Sequence, residues 1–183
     1  NLPDSVSYPQ ILKYKKTDTD QTIVSSFTCS DKVITVGSYI NRNFYTNANY
    51  AITRDTNLVV GALSGFSSHG PTRDGRIKPD ITATGEWLIS CGTQSELNLL
   101  AAIEPEKVAA GKKHKRSSGT SMSSPVVAGI AALYLQKNPT ARWDEVKNAI
   151  INCADKDAFT GNNLPDNRWG YGKINAYGMV KGC

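Results

Sequence analysis

The sequence predicts one α/β domain in which short strands alternate with helices. Short apolar or alternating runs, bounded by turn residues, recur through the first half of the chain. Two longer segments, one that follows Ser121 and ends near Asn138 and one over residues 142–154, are long enough for helices. The chain has 183 residues, and its hydrophobic content of 39% is sufficient for a globular core.

The predicted strands lie mainly in the first half. Residues 23–27, 32–38 and 58–66 have strand-like apolar patterns. Residues 41–57 are rich in Asn, Tyr and Thr, which predicts a hairpin or a surface excursion. Residues 81–90 predict a further strand that leads into the next one through a glycine.

Residues 92–116 are interpreted as a variable insertion. Within it, residues 97–103 predict a short helix that ends at Pro105, and residues 106–110 predict a further helical turn.

The longest predicted helix follows Ser121 and ends near Asn138, because a proline comes next. Its small apolar side chains suit close packing on all sides. The helix over residues 142–154 is amphipathic, and its apolar face consists of Val146, Ala149, Ile150 and Cys153.

The most informative motif is Gly119-Thr120-Ser121-Met122-Ser123-Ser124-Pro125. It places Ser121 at the predicted start of the long helix. Unpaired backbone N–H groups and the helix dipole favour negative charge at that position. Attack of a serine oxygen on a carbonyl creates such a charge, so Ser121 is the predicted nucleophile.

This motif resembles the active-site serine motif of the subtilisin-like serine peptidases. Four other segments resemble that family in the same order: residues 33–38 its core strand, 66–71 its FSS-x-GP turn, 77–81 its KPDI segment and 169–175 its GYG-x-IN strand. The resemblance implies the C-terminal part of a doubly wound, mostly parallel sheet with helices on both faces.

The resemblance also implies the chemistry, which is acyl transfer from a polypeptide substrate. Ser121 would attack the peptide carbonyl, and its backbone N–H would donate to the oxyanion. Thr120 would assist through its hydroxyl, and Gly119 belongs to the same substrate-binding turn. We expect no cofactor, and we assign no metal site because the chain has no EF-hand-like acidic loop.

The family's aspartate and histidine motifs are missing from these residues. Residues 55–57 come closest to the Asp-Ser/Thr-Gly motif but lack its glycine. His69 precedes Gly70-Pro71, where proline cannot stand inside the family's histidine helix. His114 lies in the basic run 112–116. We predict that neither histidine is the general base, with His69 in a turn and His114 on a solvated face.

We therefore interpret residues 1–183 as the C-terminal portion of a single catalytic domain. An N-terminal portion, either upstream or in a separate chain made by cleavage, would supply the aspartate and histidine. Without that partner, this portion would leave a strand edge and an apolar face uncovered. The sequence contains no run long enough for a membrane span, and we expect a secreted or cell-envelope location.

Cys29, Cys91, Cys153 and Cys183 permit two disulfides in any of three pairings, or several free thiols. Cys153 is expected in the core and Cys183 at the surface. Their spacing does not match a zinc site.

The net charge of +5 comes without an aromatic stripe or a known binding module, so no nucleic-acid partner is predicted. Residues 112–116 are interpreted as an exposed loop, with a processing site or an anion-binding patch as the alternative.

Two other functions remain open. The first is a catalytically inactive pseudo-protease or binding module, which the upstream coding sequence would identify by its lack of the two missing motifs. The second is a serine esterase on another α/β scaffold. The Gly-x-Ser-x-Gly elbow of such enzymes is absent, because Ser121 is followed by Met122 and Ser123.

Overall fold

The structure is a computed structural model that describes Asp4, residues 6–13 and residues 23–183. Among these residues, single 3₁₀ turns lie at Pro9–Lys13, Ser26–Cys29 and Pro105–Lys107. The strands are β1 Val36–Ile40, β2 Phe44–Thr46, β3 Ile52–Arg54, β4 Ile81–Glu86, β5 Leu88–Cys91 and β6 His114–Ser117. The α-helices are α1 Gln94–Ile103, α2 Thr120–Lys137, α3 Trp143–Asn152 and α4 Ala176–Lys181.

A parallel pair, β1 with β4, lies at the centre of the fold. Its register pairs Val36 with Ile81 and Tyr39 with Thr84, and it shifts after Tyr39. Ile81 and Ala83 of β4 are fully buried. Helix α2 packs on both strands, so the predicted α/β class is confirmed.

Two antiparallel pairs flank this centre. Strands β2 and β3 form the hairpin predicted within residues 41–57. Strands β5 and β6 pair from Leu88–Ser117 to Cys91–His114. The interpretation of residues 112–116 as a loop is therefore wrong for residues 114–116, because β6 begins at His114.

Two predicted strands are wrong. Residues 26–29 form a 3₁₀ turn that overlaps the end of the predicted strand 23–27. Residues 58–66 form turns, because Gly61 takes a positive φ of 91° and bends the chain back onto Ile40. Leu63 retains only an isolated bridge to Tyr39.

The strand predicted at residues 32–38 begins later, at Val36. The backbone N–H of Thr35 donates to the carboxylate of Asp80 at 2.7 Å and so has a side-chain acceptor in place of a ladder partner.

The predicted helices are confirmed as α1, α2 and α3, and only the predicted turn at 106–110 is shorter, ending at Lys107. Within the described residues α2 packs on one side, and that its other sides are packed as well stays a prediction. Its inner face buries Ser123, Val127 and Ile130. Its outer face is exposed, because the described residues cover only one side of it; this face comprises Pro125, Ala128, Gly129, Ala132 and Leu133.

The main core lies between β4 and the last three helices. It consists of Ile81, Ala83, Val127, Ile130, Val146, Ile150, Cys153 and Met179. Cys153 forms a disulfide with the exposed Cys183, which ties the end of α3 to the C-terminal residue. Cys29 and Cys91 are free thiols. No helix in the described part of the chain combines the length and apolar character needed to cross a bilayer.

Candidate active site

The serine motif begins at Gly119, between β6 and α2, and continues into α2; residues 118–123 are called the serine turn. Gly119 is the N-cap of α2, with φ 140° and ψ 158°, a conformation essentially restricted to glycine. Its N–H donates to the carbonyl of Gly85 at 2.9 Å, and its own carbonyl accepts the N–H of Met122 at 2.9 Å. The end of β4 therefore fixes where helix α2 begins.

Ser121 lies in the first turn of α2, where backbone N–H groups have no acceptor within the helix. The side chain of Ser121 is exposed, and that of Thr120 is half-buried. The structure thus brings Gly119, Thr120 and Ser121 together at one helix N-terminus. An exposed hydroxyl next to unpaired N–H groups is an arrangement that can attack a carbonyl and stabilise the resulting oxyanion.

An open groove of about 720 Å³ runs beside Ser121. One wall is formed by residues 33–36 and the segment that precedes them, and the other by the first two turns of α2. Its described lining carries hydroxyl and aliphatic side chains and no charged ones: Val24, Ser25, Thr28, Val33, Ile34, Thr35, Val36, Ser68, Pro79, Thr120, Ser121, Ser124, Pro125 and Ala128.

The two histidines occupy different surroundings. His114 is exposed at the start of β6 and is paired with Cys91, about 10 Å along the strand from its end next to the serine turn. His69 is buried, and its carbonyl accepts the N–H of Ile23. Its neighbour Ser68 lines the groove. That neither histidine is the general base stays a prediction.

A buried ionic cluster holds the strand-side wall of the groove. Asp80 receives the ammonium of Lys78 at 2.6 Å on one carboxylate oxygen and that of Lys147 at 3.0 Å on the other. Both ammonium groups also donate to the carbonyl of Val33, at 3.1 and 3.3 Å. Together with the bond from Thr35 to Asp80, they anchor residues 33–35.

Burial lowers the pKa of Lys78, and the adjacent Asp80 carboxylate opposes that shift. Lys78 and Asp80 belong to the KPDI segment that the sequence identified. The contribution of Lys147 was missed, because nothing in the helical pattern of α3 distinguishes this lysine from a solvated one.

Within the residues that the structure covers, no group of three or more His, Cys, Asp or Glu side chains is placed to hold a metal ion.

The fold and this site together define an α/β protein with a serine at the start of a central helix. The model of the subtilase family, peptidase S8, matches residues 4–172. The chain therefore belongs to the subtilase family, as its motifs predicted.

Two curated relatives are considerably longer than this chain. The chain is 36% identical over 163 residues to the serine protease AprX of Bacillus subtilis, covering 89% of this chain and 33% of AprX. It is 38% identical over 136 residues to an uncharacterized protein of Aquifex aeolicus, covering 74% of this chain and 56% of that protein. The chain thus spans one third to about half of these relatives.

Among solved structures, the CspB protease of Clostridium perfringens is similar, with a TM-score of 0.60 and 24% identity. The match covers 88% of this chain and 29% of that one. At this identity the match establishes the fold, which is the α/β fold of subtilisin-like proteases.

Proposed function

We propose that this chain is the nucleophile-bearing C-terminal portion of a subtilisin-like serine endopeptidase. The observation that carries the proposal is the exposed Ser121 in the first turn of α2, beside an open groove. Membership of the subtilase family supports the reaction class, which is hydrolysis of peptide bonds through an acyl-enzyme.

In the proposed reaction, the Ser121 hydroxyl oxygen bonds to the scissile carbonyl carbon and loses its proton to a histidine of the N-terminal portion. The N–H of Ser121 donates to the oxyanion, and the positive end of the α2 dipole stabilises it. The Thr120 hydroxyl assists. The histidine then protonates the leaving amine as the C–N bond breaks, and water hydrolyses the ester that remains on Ser121.

The N-terminal portion is the proposed partner, and an exposed apolar face of this chain supports it. The outer face of α2 exposes small apolar side chains beside the groove. AprX and the Aquifex protein extend well beyond the length that this chain matches. An apolar contact between the two portions would bury this face and bring the histidine and aspartate to Ser121.

The test is peptide hydrolysis by the protein translated from the complete reading frame. We expect cleavage of a denatured polypeptide, loss of that activity in Ser121→Ala and retention of it in Ser124→Ala. Ser124 is a matched control, since it is an exposed serine of the same helix that lines the same groove. Equal activity of Ser121→Ala and the unmodified protein would overturn the proposal.

One observation favours the alternative of an inactive protein with the subtilase fold: residues 1–183 lack both the Asp-Ser/Thr-Gly and the His-Gly-Thr motif. The complete reading frame distinguishes the two functions. If both motifs are found upstream of Asn1, the peptidase is supported; if both are absent, the inactive binding module is. Activity on simple esters without activity on peptides would instead indicate an esterase.

A secreted or cell-envelope location belongs to the same proposal. The Cys153–Cys183 disulfide supports it, because disulfides form and persist in oxidising compartments. Recovery of the protein from the cytoplasm with both thiols reduced would contradict this location.

A further inference from the structure

The end of β4 touches the serine turn on both sides of Ser121. The carbonyl of Gly85 accepts the N–H of Gly119, two residues before the serine, at 2.9 Å. The Cα of Gly85 lies against the hydroxyl of Ser123, two residues after the serine. One residue of the sheet therefore contacts the motif two residues before and two residues after the proposed nucleophile.

The surroundings of Gly85 leave no room for a side chain. Its φ lies outside the left-handed region, so its backbone conformation is open to other residues. A Cβ built there would overlap Ser123 Oγ and would lie 2.5 Å from Ser38 Oγ and 2.9 Å from the carbonyl oxygen of Gly119. A side chain at this position therefore displaces the backbone carbonyl of Gly119 as well as the two serine hydroxyls.

A third contact joins the residue that precedes Gly119 to the residue two positions after Gly85. The N–H of Trp87 donates to Ser118 Oγ at 3.0 Å, and Trp87 follows directly after β4. Strand β4 is itself held in place by the core, because its residues Ile81, Thr82 and Ala83 are fully buried.

We propose that Gly85 is a positioning residue for Ser121, and that Gly85 and the Ser118 hydroxyl together fix the serine turn on the end of β4. This inference rests on the proposed function. The expected size of the effect follows from the sensitivity of the rate to the positions of the reacting groups, since a misplacement of about 1 Å can lower the rate about 100-fold. Neither residue is assigned a contact with substrate.

The test compares variants of the complete protein by kcat, KM and the rate at which a fluorophosphonate labels Ser121. For Gly85→Ala we expect kcat and labelling to fall about 100-fold with little change in KM. Gly65→Ala is the matched control, because Gly65 is exposed, has no positive φ and has open space around its Cβ position. It should behave as the unmodified protein does.

Two further variants keep the test decisive if Gly85→Ala folds poorly. Gly85→Ala with Ser123→Ala should recover at least about tenfold of the lost labelling rate, because the overlapping oxygen is gone. Both rates are taken per folded protein, so that a gain in stability alone does not count as recovery. Ser118→Ala alters an exposed residue and should fold normally, with kcat lowered about tenfold, the scale of one lost hydrogen bond of about 1.4 kcal/mol.

A folded Gly85→Ala protein with unchanged kcat, or a Ser118→Ala protein with unchanged kcat, overturns the inference. Failure of the proposed function gives a different result, in which Ser121 of the unmodified complete protein is not labelled at all.

Discussion

The buried hydroxyl of Ser123 has no hydrogen-bond partner among the residues that the structure describes. Its side chain is fully buried in the first turn of α2 and faces the end of β4. Burying an unsatisfied hydroxyl costs about 1–3 kcal/mol, so the Ser123 oxygen does not stabilise the folded protein.

Ser123→Ala should therefore leave the free energy of unfolding unchanged or raise it by about 1 kcal/mol. Urea unfolding measures the effect, with the exposed Ser124→Ala as the control, expected within about 0.5 kcal/mol of the unmodified protein. A loss of stability in Ser123→Ala would mean that its hydroxyl has a partner we have not identified.

Asp157 is a second residue whose environment determines its behaviour. Burial alone would raise the pKa of its carboxyl, but hydrogen bonds from Lys173, Thr160 and Phe159 outweigh burial and lower that pKa below 3.8. Lys173 is itself surrounded by the rings of Tyr39, Phe159 and Trp169. The ionised carboxylate is thus the form that the fold favours.

A lowered carboxyl pKa stabilises the folded state above pH 3.8, and this contribution is lost as the pH falls through the folded value. We expect Asp157→Asn to be less stable than the unmodified protein at pH 6, with a difference that shrinks as the pH is lowered below 3.8. Unfolding curves across this range measure it. A difference independent of pH would show that the carboxylate charge has no role.

At the scale of elements, helix α2 has two unlike faces. The inner face belongs to the core, and the outer face would meet the N-terminal portion. Ala128→Glu places a charge on the outer face within the groove. In the complete protein it should lower the melting temperature by several degrees and reduce activity, because an apolar contact would then bury an unpaired charge.

Gln136→Glu is the control for this prediction. It introduces the same charge on the same helix at an exposed position that is already polar, and it should change stability by less than about 0.5 kcal/mol. Equal behaviour of the two variants would indicate that the outer face stays in water.

The sequence predicted those elements whose signal is local. The periodicity of α3 and the Asn-rich hairpin at residues 41–57 need no distant partner, and both are confirmed. The predicted strand at 58–66 is wrong because Gly61 and tertiary bonds to Ile40 decide its path. Apolar composition cannot distinguish a strand from such a turn.

The features of the site likewise fall into those that local sequence predicts and those that depend on distant residues. The serine motif predicted that Ser121 lies at a helix start, because the glycine and the apolar run that define this start are adjacent in sequence. The anchoring of residues 33–35 by Lys147 and the spatial role of Gly85 could not be predicted. Each depends on residues that are distant along the chain and meet only in the folded protein.

At the scale of the whole molecule, the disulfide joins Cys153 to Cys183, which are 30 residues apart in the sequence, and so closes a loop that contains the last part of the core. In the chain-entropy model such a link is worth about 3–4 kcal/mol. Cys183→Ser should lower the free energy of unfolding by about that amount, and a reducing agent should destabilise the unmodified protein but not the variant.

Cys91→Ser is the control, since Cys91 is an exposed free thiol. It should leave both the stability and its dependence on reducing agent unchanged. If Cys183→Ser is as stable as the unmodified protein under oxidising conditions, the disulfide does not support the fold.

The most direct measurement maps the covalent label left by a fluorophosphonate on the protein translated from the complete reading frame. We predict that mass spectrometry finds the label on Ser121, and that residues 1–183 expressed alone are not labelled. A label on another serine, or none on the complete protein, would contradict it.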